Sequence, residues 1–380
     1  MTWEHWYIDF LTNRIYLFSV CHFEMGYVHD ITGGTVDITV HEVTSTGKLR
    51  EMHKATGGSW GGTSIDKAYF GFMESIFGSE SMTIFQKDHL EEYLDMAREF
   101  DVKKRSIGPT MDSNVTFRIP SNLFAVFREV SGNDPKTAIQ QNTTLNGKIT
   151  LTGEKMRVEA ETVKCLFTET NNHIVQHVKD IFTCPAVDGT NTILMVGGFS
   201  ESPMLQAAIK KAFSNKNVVT PHDAGLAVLK GAVISGHSRD EITSRISKYS
   251  YGLKCWAMFD PSMHPRSRIV VVDGKQHVRG RFSKLVEVGV SVASDKPSKP
   301  TAFRSVDESY SFMIKLYASP RSDPIFVDEE DCWLVGEVAV KCQCEKGADV
   351  SLLFGGTELE VIAVDTVDKR ITKATFDFSE

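Results

Sequence analysis

The chain has 380 residues, of which 41% are hydrophobic and 24% charged, and its formal net charge at pH 7 is −7. This length suits two or three domains, and the composition excludes a wholly disordered or low-complexity chain. The acidic balance argues against nucleic acid and anionic membranes as partners, since both call for a basic excess. Seven scattered cysteines with no Cys-x-x-Cys pair point to neither a disulfide framework nor a zinc site, and a reducing, cytoplasmic setting is expected.

In chain order, residues 1–26 are rich in aromatics and follow neither a two-residue nor a 3.6-residue period, so they read as an atypical leader. The apolar run within them, residues 15–23, is far short of the ~20 residues that span a bilayer, and no basic segment precedes it. From Tyr27 the pattern becomes strand, glycine turn, strand. Val36, Ile38 and Val40 alternate with Asp37 and Thr39, as a half-buried strand requires. A glycine-rich loop over 56–62 leads to helices near 64–77 and 88–104, and residues 108–160 hold polar loops and short strands.

A long helix is expected over 160–182, where Val163, Phe167, Ile174, Val178 and Ile181 recur three or four apart. Residues 193–196 form a short apolar run of the kind buried on both faces of a sheet, closed by Gly197 and Gly198. Ser200 is then expected to cap a helix with Pro203 in its first turn. A further helix over 223–235 carries a small-residue stripe of Ala224, Ala227, Gly231 and Ser235. Residues 239–248 read as a polar linker or terminal helix. Beyond them, apolar runs at 268–272, 311–316, 333–340 and 359–364 are separated by Pro, Gly, Asp and Ser at β-sandwich spacing.

Three segments carry chemistry. In Asp30-Ile-Thr-Gly-Gly-Thr-Val-Asp37, Gly33 and Gly34 let backbone amides approach an anion, Thr35 adds a hydroxyl, and the carboxylates suit Mg²⁺ held through water. A plain hairpin with a Gly-Gly turn explains the same spacing equally well. In Asp101-Val-Lys-Lys-Arg105, a guanidinium plane suits an adenine ring and a carboxylate suits ribose hydroxyls. Basic residues at a helix C-terminus also serve the macrodipole, which is the blander explanation. In residues 193–203, a buried strand meets a Gly-Gly turn and a helix start, the place where open α/β sheets bind ligands. A tight strand-to-helix connection is the alternative.

Taken in order, these segments resemble the heat-shock 70 kDa ATPase family: its second phosphate motif, its adenine-contacting helix and its adenosine motif. Gly-Thr-Val-Asp-Ile-Thr-Val-His-Glu at 34–42, Lys54-Ala-Thr-Gly-Gly58 and Gly225-Leu-Ala-Val-Leu-Lys-Gly-Ala-Val233 resemble its twelve-type subfamily. The likeness runs from Tyr27 to the C-terminus, about nine-tenths of the chain. It implies an α/β fold plus an all-β part: an actin-like ATPase (ribonuclease H-like) second lobe over 27–240, with an insertion over about 45–190, then a β-sandwich-like domain over 241–380 resembling a peptide-binding domain. It also implies ATP or ADP as cofactor. Gly33, Gly34 and Thr35 would meet the β- and γ-phosphates, with Asp30 in the outer shell of Mg²⁺ and Gly62 on the phosphate-sugar side. Asp101 would touch ribose, Lys104 and Arg105 would flank adenine, and Gly197, Gly198 and Phe199 would close over base and sugar.

Unfolded peptides or client proteins are the implied macromolecular partners. The chain departs from the family in having no Asp-x-Gly-Thr-Thr hairpin before Asp30, in Thr32 where the family has glycine, and in Ser200 and Glu201 where it has threonine and arginine. The family's first lobe, with its catalytic lysine, is expected to be missing, and because phosphoryl transfer needs charge neutralisation on both sides of the γ-phosphate, hydrolysis is expected to be weak or absent. A nucleotide-independent interaction module and a truncated product are the competing expectations.

Overall fold

The computed structural model describes residues 15–19, 34–143, 145–237, 241–272, 274–304, 311–341, 347–355 and 358–377. They divide into two compact units, one of Arg14–Thr39 with Thr56–Val233, the other with its described residues in Val40–Ala55 and Ile234–Glu380.

The first unit is mixed α/β. Strand β1 (Ile15–Ser19), the opening of β2 (Val36–Val43) and the end of β3 (Leu49–Gly58), whose remaining residues fall in Val40–Ala55 of the other unit, precede helices α1 (Gly62–Phe77), α2 (Ser79–Asp88) and α3 (Leu90–Lys104). Then come β4 (Val115–Arg118), α4 (Ser121–Ser131), α5 (Pro135–Gln141), β5 (Ile149–Thr152), β6 (Lys155–Val158), α6 (Ala160–Cys165) and α7 (Thr168–Phe182). The unit closes with β7 (Thr192–Val196), α8 (Pro203–Ala212), β8 (Asn217–Val219) and most of α9 (Ala224–His237).

The strand order is β3-β2-β1-β7-β8. β1 runs parallel to β7, Ile15 pairing Thr192 and Ser19 pairing Val196, and β7 runs parallel to β8. The strand beside β7 thus comes from residues 15–19, inside the stretch that reads as a leader. Val36, Ile38 and Val40 are fully buried, as their alternation requires.

A second sheet, β4-β6-β5, packs with α1 to α5 around one core. Ile65, Tyr69, Met73 and Phe77 recur four apart on α1 and face it, and Tyr69 stacks on Phe100 of α3 at 4.0 Å between ring centres. Burying each such side chain contributes about 1.5–3 kcal/mol, which is why this helical layer holds together on so small a sheet. The helix expected over 160–182 is two helices, α6 and α7, broken at Leu166 and the fully buried Phe167.

The second unit is β-rich. β9 (Ile242–Ile246) pairs parallel with β3, Leu49 opposite Ile242, where the sequence suggests a linker or helix. After it come β10 (Ser250–Met258), β11 (Ile269–Val272), β12 (Lys275–Val286), β13 (Ser291–Ala293), β14 (Thr301–Phe303), β15 (Ser311–Ser319), β16 (Trp333–Lys341), β17 (Ala348–Leu353), β18 (Glu358–Asp365) and β19 (Ile371–Asp377). Strand β13 pairs antiparallel with β9. The others form a five-stranded sheet, β11-β12-β10-β15-β16, and a four-stranded sheet, β14-β17-β18-β19. Both contribute to one core, with Tyr251, Leu253, Ile314 and Leu316 from the first and Val350, Leu352, Val361 and Ala363 from the second.

Candidate functional site

Three stretches far apart in sequence meet in the first unit. Asp30 and Gly33 lie outside the described residues. At the start of β2, the Gly34 carbonyl accepts a hydrogen bond from the Gly61 amide at 3.1 Å. Thr35 is exposed, and its hydroxyl donates to Asp37 at 3.3 Å. Gly57 on β3 has no room for a side chain, because a Cβ there would stand 1.9 Å from the Val36 carbonyl oxygen. Trp60 lies against Gly58 and makes tilted ring contacts with His173 and His177 of α7, at ring-centre distances of 6.0 and 5.1 Å. The glycine loop is therefore pinned on one side by β2 and on the other by α7. It delivers Gly62 to the first turn of α1, where neither a capping side chain nor an acidic residue satisfies the amides.

Lys104, at the end of α3, reaches back to this loop. Its Nζ donates to both carboxylate oxygens of Asp66 on α1 at 2.7 and 2.8 Å, to Asp101 at 2.9 Å, and lies 3.5 Å from the Gly62 carbonyl. Only 12% of the Lys104 side chain is exposed. Burial raises the Asp66 carboxyl above its ordinary range, and the Lys104 hydrogen bond counters only part of that. Burial also pushes Asp101 up, but the hydrogen bond and charge of Lys104, with Arg105 next to it, outweigh it and hold Asp101 below its usual value. Arg105 pairs with Asp101 at 3.1 Å and is 64% exposed, leaving a guanidinium face open. The ammonium of Lys104 is thus engaged inside the protein, while Arg105 is the cation this helix end presents.

The third stretch follows β7. Gly197 has φ of 89°, a left-handed conformation that disfavours any side chain, and its amide donates to the Ala224 carbonyl at 2.7 Å. Residues 198–201 form a 3₁₀ turn, in which the Ser200 hydroxyl donates to the Gly197 carbonyl at 2.6 Å. Ser200 therefore fastens the turn, and α8 begins later, after Ser202. A Cβ on Gly198 would meet nothing within 4 Å, so space stands open above the turn. Phe199 and Met204 pack against the core that holds Phe100 and Ile107, and a Cβ on Gly108 would lie 3.5 Å from that of Pro203. This turn and the end of α3 are neighbours.

Sequence reasoning missed a groove of about 560 Å³ beside this turn, lined by Glu201, Gln206, Lys210, residues 218–221 and His222. Glu201 accepts the Gly225 amide at 3.0 Å, so a carboxylate caps the start of α9. The only sequence signal for it was the acidic residue three positions after the glycine pair. Among the described residues, no group of three or more His, Cys, Asp or Glu side chains converges as a metal site. No helix among them is long and apolar enough to cross a membrane.

No family model matches the chain. It is similar to heat shock 70 kDa protein 12B of Homo sapiens, 29% identical over 367 residues that cover 92% of this chain and 53% of that protein. It is likewise similar to heat shock 70 kDa protein 12A of Mus musculus and of Homo sapiens, each 27% identical over 361 residues, with 92% of this chain and 53% of the relative covered. The chain spans about half the length of the curated relatives it matches.

Proposed function

We propose that the first unit of this chain, which is similar to twelve-type heat shock 70 kDa proteins, binds ATP or ADP on a wall made by the Gly34 turn, the start of α1, Arg105 and the turn at Gly197 and Gly198. The observation that supports this most is the contiguity of the three stretches: Gly61 bonds Gly34, Lys104 reaches Gly62, and Gly108 abuts Pro203. Phosphates belong at the Gly33, Gly34 and Thr35 end, where uncapped amides of α1 lie close by. Adenine belongs against the open guanidinium of Arg105 and the space above Gly198, with Phe199 backing the turn and Asp101 beside the ribose. Lys104 acts here as a strut that orients Asp101 and ties α3 to α1. Mg²⁺, which neutralises phosphate charge when bound, is assigned to Asp30 through water.

Binding with weak or no hydrolysis is the activity we assign, because the one buried lysine of the wall is held between two carboxylates. The two sheets of the second unit share one core, and we assign this part, read as a β-sandwich, to recognition of peptides or client proteins. Isothermal titration with ATP and ADP, with and without Mg²⁺, tests the nucleotide assignment. Saturable binding that weakens about tenfold in Arg105→Ala is expected; no saturation up to millimolar nucleotide in the parent protein overturns it. One feature favours a nucleotide-independent interaction module instead: Glu201 already occupies the amide end of α9 with negative charge. Partner binding unchanged by ATP and by Arg105→Ala would select that reading.

A further inference from the structure

In α9 the small side chains are inside and the large ones outside. Ala224 and Ala227 are buried, whereas Leu226, Leu229 and Val233 are 54%, 64% and 57% exposed. All five lie in the first unit. At about 100° per residue, Leu226, Leu229 and Val233 fall within roughly 60° of one another, on the side away from the two alanines. Gly225 and Ala232, both exposed, run alongside them as a shallow row. Ala, Gly, Leu and Val make up most of the helix, and Lys230 is its only Asp, Glu, Lys or Arg. A helix apolar on every side is ordinarily enclosed on every side. Here one side packs inward while the other presents an apolar stripe on the order of 400 Å², the size of patch that marks an association surface.

The chemistry of the stripe narrows what covers it. Lys230 is paired with Asp223, so the two charges beside the stripe neutralise each other. An acidic or basic partner finds little to complement there, and a helix that lies on a membrane carries a row of cations that α9 does not have. A second α9 matches in kind: apolar against apolar, with Gly225 and Ala232 small enough for two backbones to approach closely. Antiparallel order also sets the two helix dipoles head to tail. Pairing two such stripes removes about 800 Å² from water, less than the roughly 1,200–2,000 Å² of a stable complex, so the association is weak and reversible.

We propose that α9 of a second copy of this chain covers this stripe, antiparallel across a two-fold axis beside Leu229. Leu226 of each copy then packs on Val233 of the other, and the small row of each helix lies along that of its counterpart, as an isologous contact requires. Each copy carries a net charge of −7, so the apolar contact works against mutual repulsion and strengthens as salt screens it. The pairing is independent of nucleotide binding.

Sedimentation velocity on the full chain, from about 2 to 200 μM, tests the pairing. A reversible monomer-dimer equilibrium is expected, with Kd on the order of tens of micromolar and tighter in higher salt. Leu229→Lys should weaken it about tenfold or more. Complementary charges test the register: Leu226→Glu and Val233→Lys should each be monomeric alone and associate when mixed, because only the mixed pair sets a carboxylate against an ammonium. Circular dichroism melts establish that these variants, all at exposed positions, are folded. A parent that stays monomeric at every concentration, a dimer unaffected by Leu229→Lys, or folded charge variants that fail to associate on mixing overturns the proposal. So does flotation of a monomeric parent with phosphatidylcholine vesicles, which would make lipid the occupant.

Discussion

His41 shows how a single side chain can set pH behaviour. It is 8% exposed on β2, and its Nδ1 has no hydrogen-bond partner among the described residues. Burial, and secondarily the charge of Arg245 on β9, lower its pKa from 6.5 to about 4. The folded state therefore resists protonating a group that the unfolded chain protonates readily. Its contribution is present above pH 6.5 and is lost as pH falls from 6.5 toward 4, a change on the order of 3 kcal/mol. Glu51 works against this trend, because burial raises its carboxyl despite a hydrogen bond from the Ile246 amide at 2.8 Å. His41→Gln removes the histidine contribution alone, so urea melts at pH 7 and pH 5 should differ less in the variant than in the parent. An equal loss in both proteins would show that His41 does not carry the effect. At the same scale, the position of Lys104 at the end of a helix was legible, but its contacts were not. Its main partner, Asp66, stands 38 positions away, beyond the reach of any local pattern.

Among elements, those with strong periodicity were legible and those whose existence depends on a distant partner were not. The alternation at 36–40, the four-residue repeat of α1 and the apolar run of β7 appear where the sequence places them. By contrast, β9 is only partly buried along its whole length, with no in-and-out pattern to read, and pairing with β3 and β13 makes it a strand. β1 has the same origin, since a parallel neighbour such as β7 is chosen by tertiary structure. The segment 193–203 is strand, turn and helix, as its pattern suggests, but Ser200 bonds backward to Gly197 and leaves the helix start to Ser202. The hairpin of β2 and β3 allows a sharp test. Gly57→Ala should lower stability by about 2–4 kcal/mol in chemical denaturation, because its Cβ would meet backbone rather than a movable side chain. Gly71→Ala, on an exposed position of α1 with nothing within 4 Å, should instead raise stability by about 0.5–1 kcal/mol. Matching effects at the two positions would contradict the close approach at Gly57.

For the whole molecule, the two cores predict separable folding. The aromatic core of the first unit draws on residues between Ile65 and Met204, whereas the core shared by the two antiparallel sheets draws on residues between Tyr249 and Phe376. A fragment of residues 248–380 should therefore melt cooperatively by itself and keep the near-ultraviolet signal of its packed aromatics. A gradual, signal-free transition would mean that its core is not self-sufficient.

The capping of α9 by Glu201 has a bearing on direction. A helix start normally attracts anions, but at α9 a carboxylate already occupies it, whereas the start of α1 carries neither a capping side chain nor an acidic residue. On the proposed wall, a guest with one neutral and one anionic end would accordingly enter in a single orientation, headgroup toward α1, with the reversed pose disfavoured by charge before shape is ever consulted.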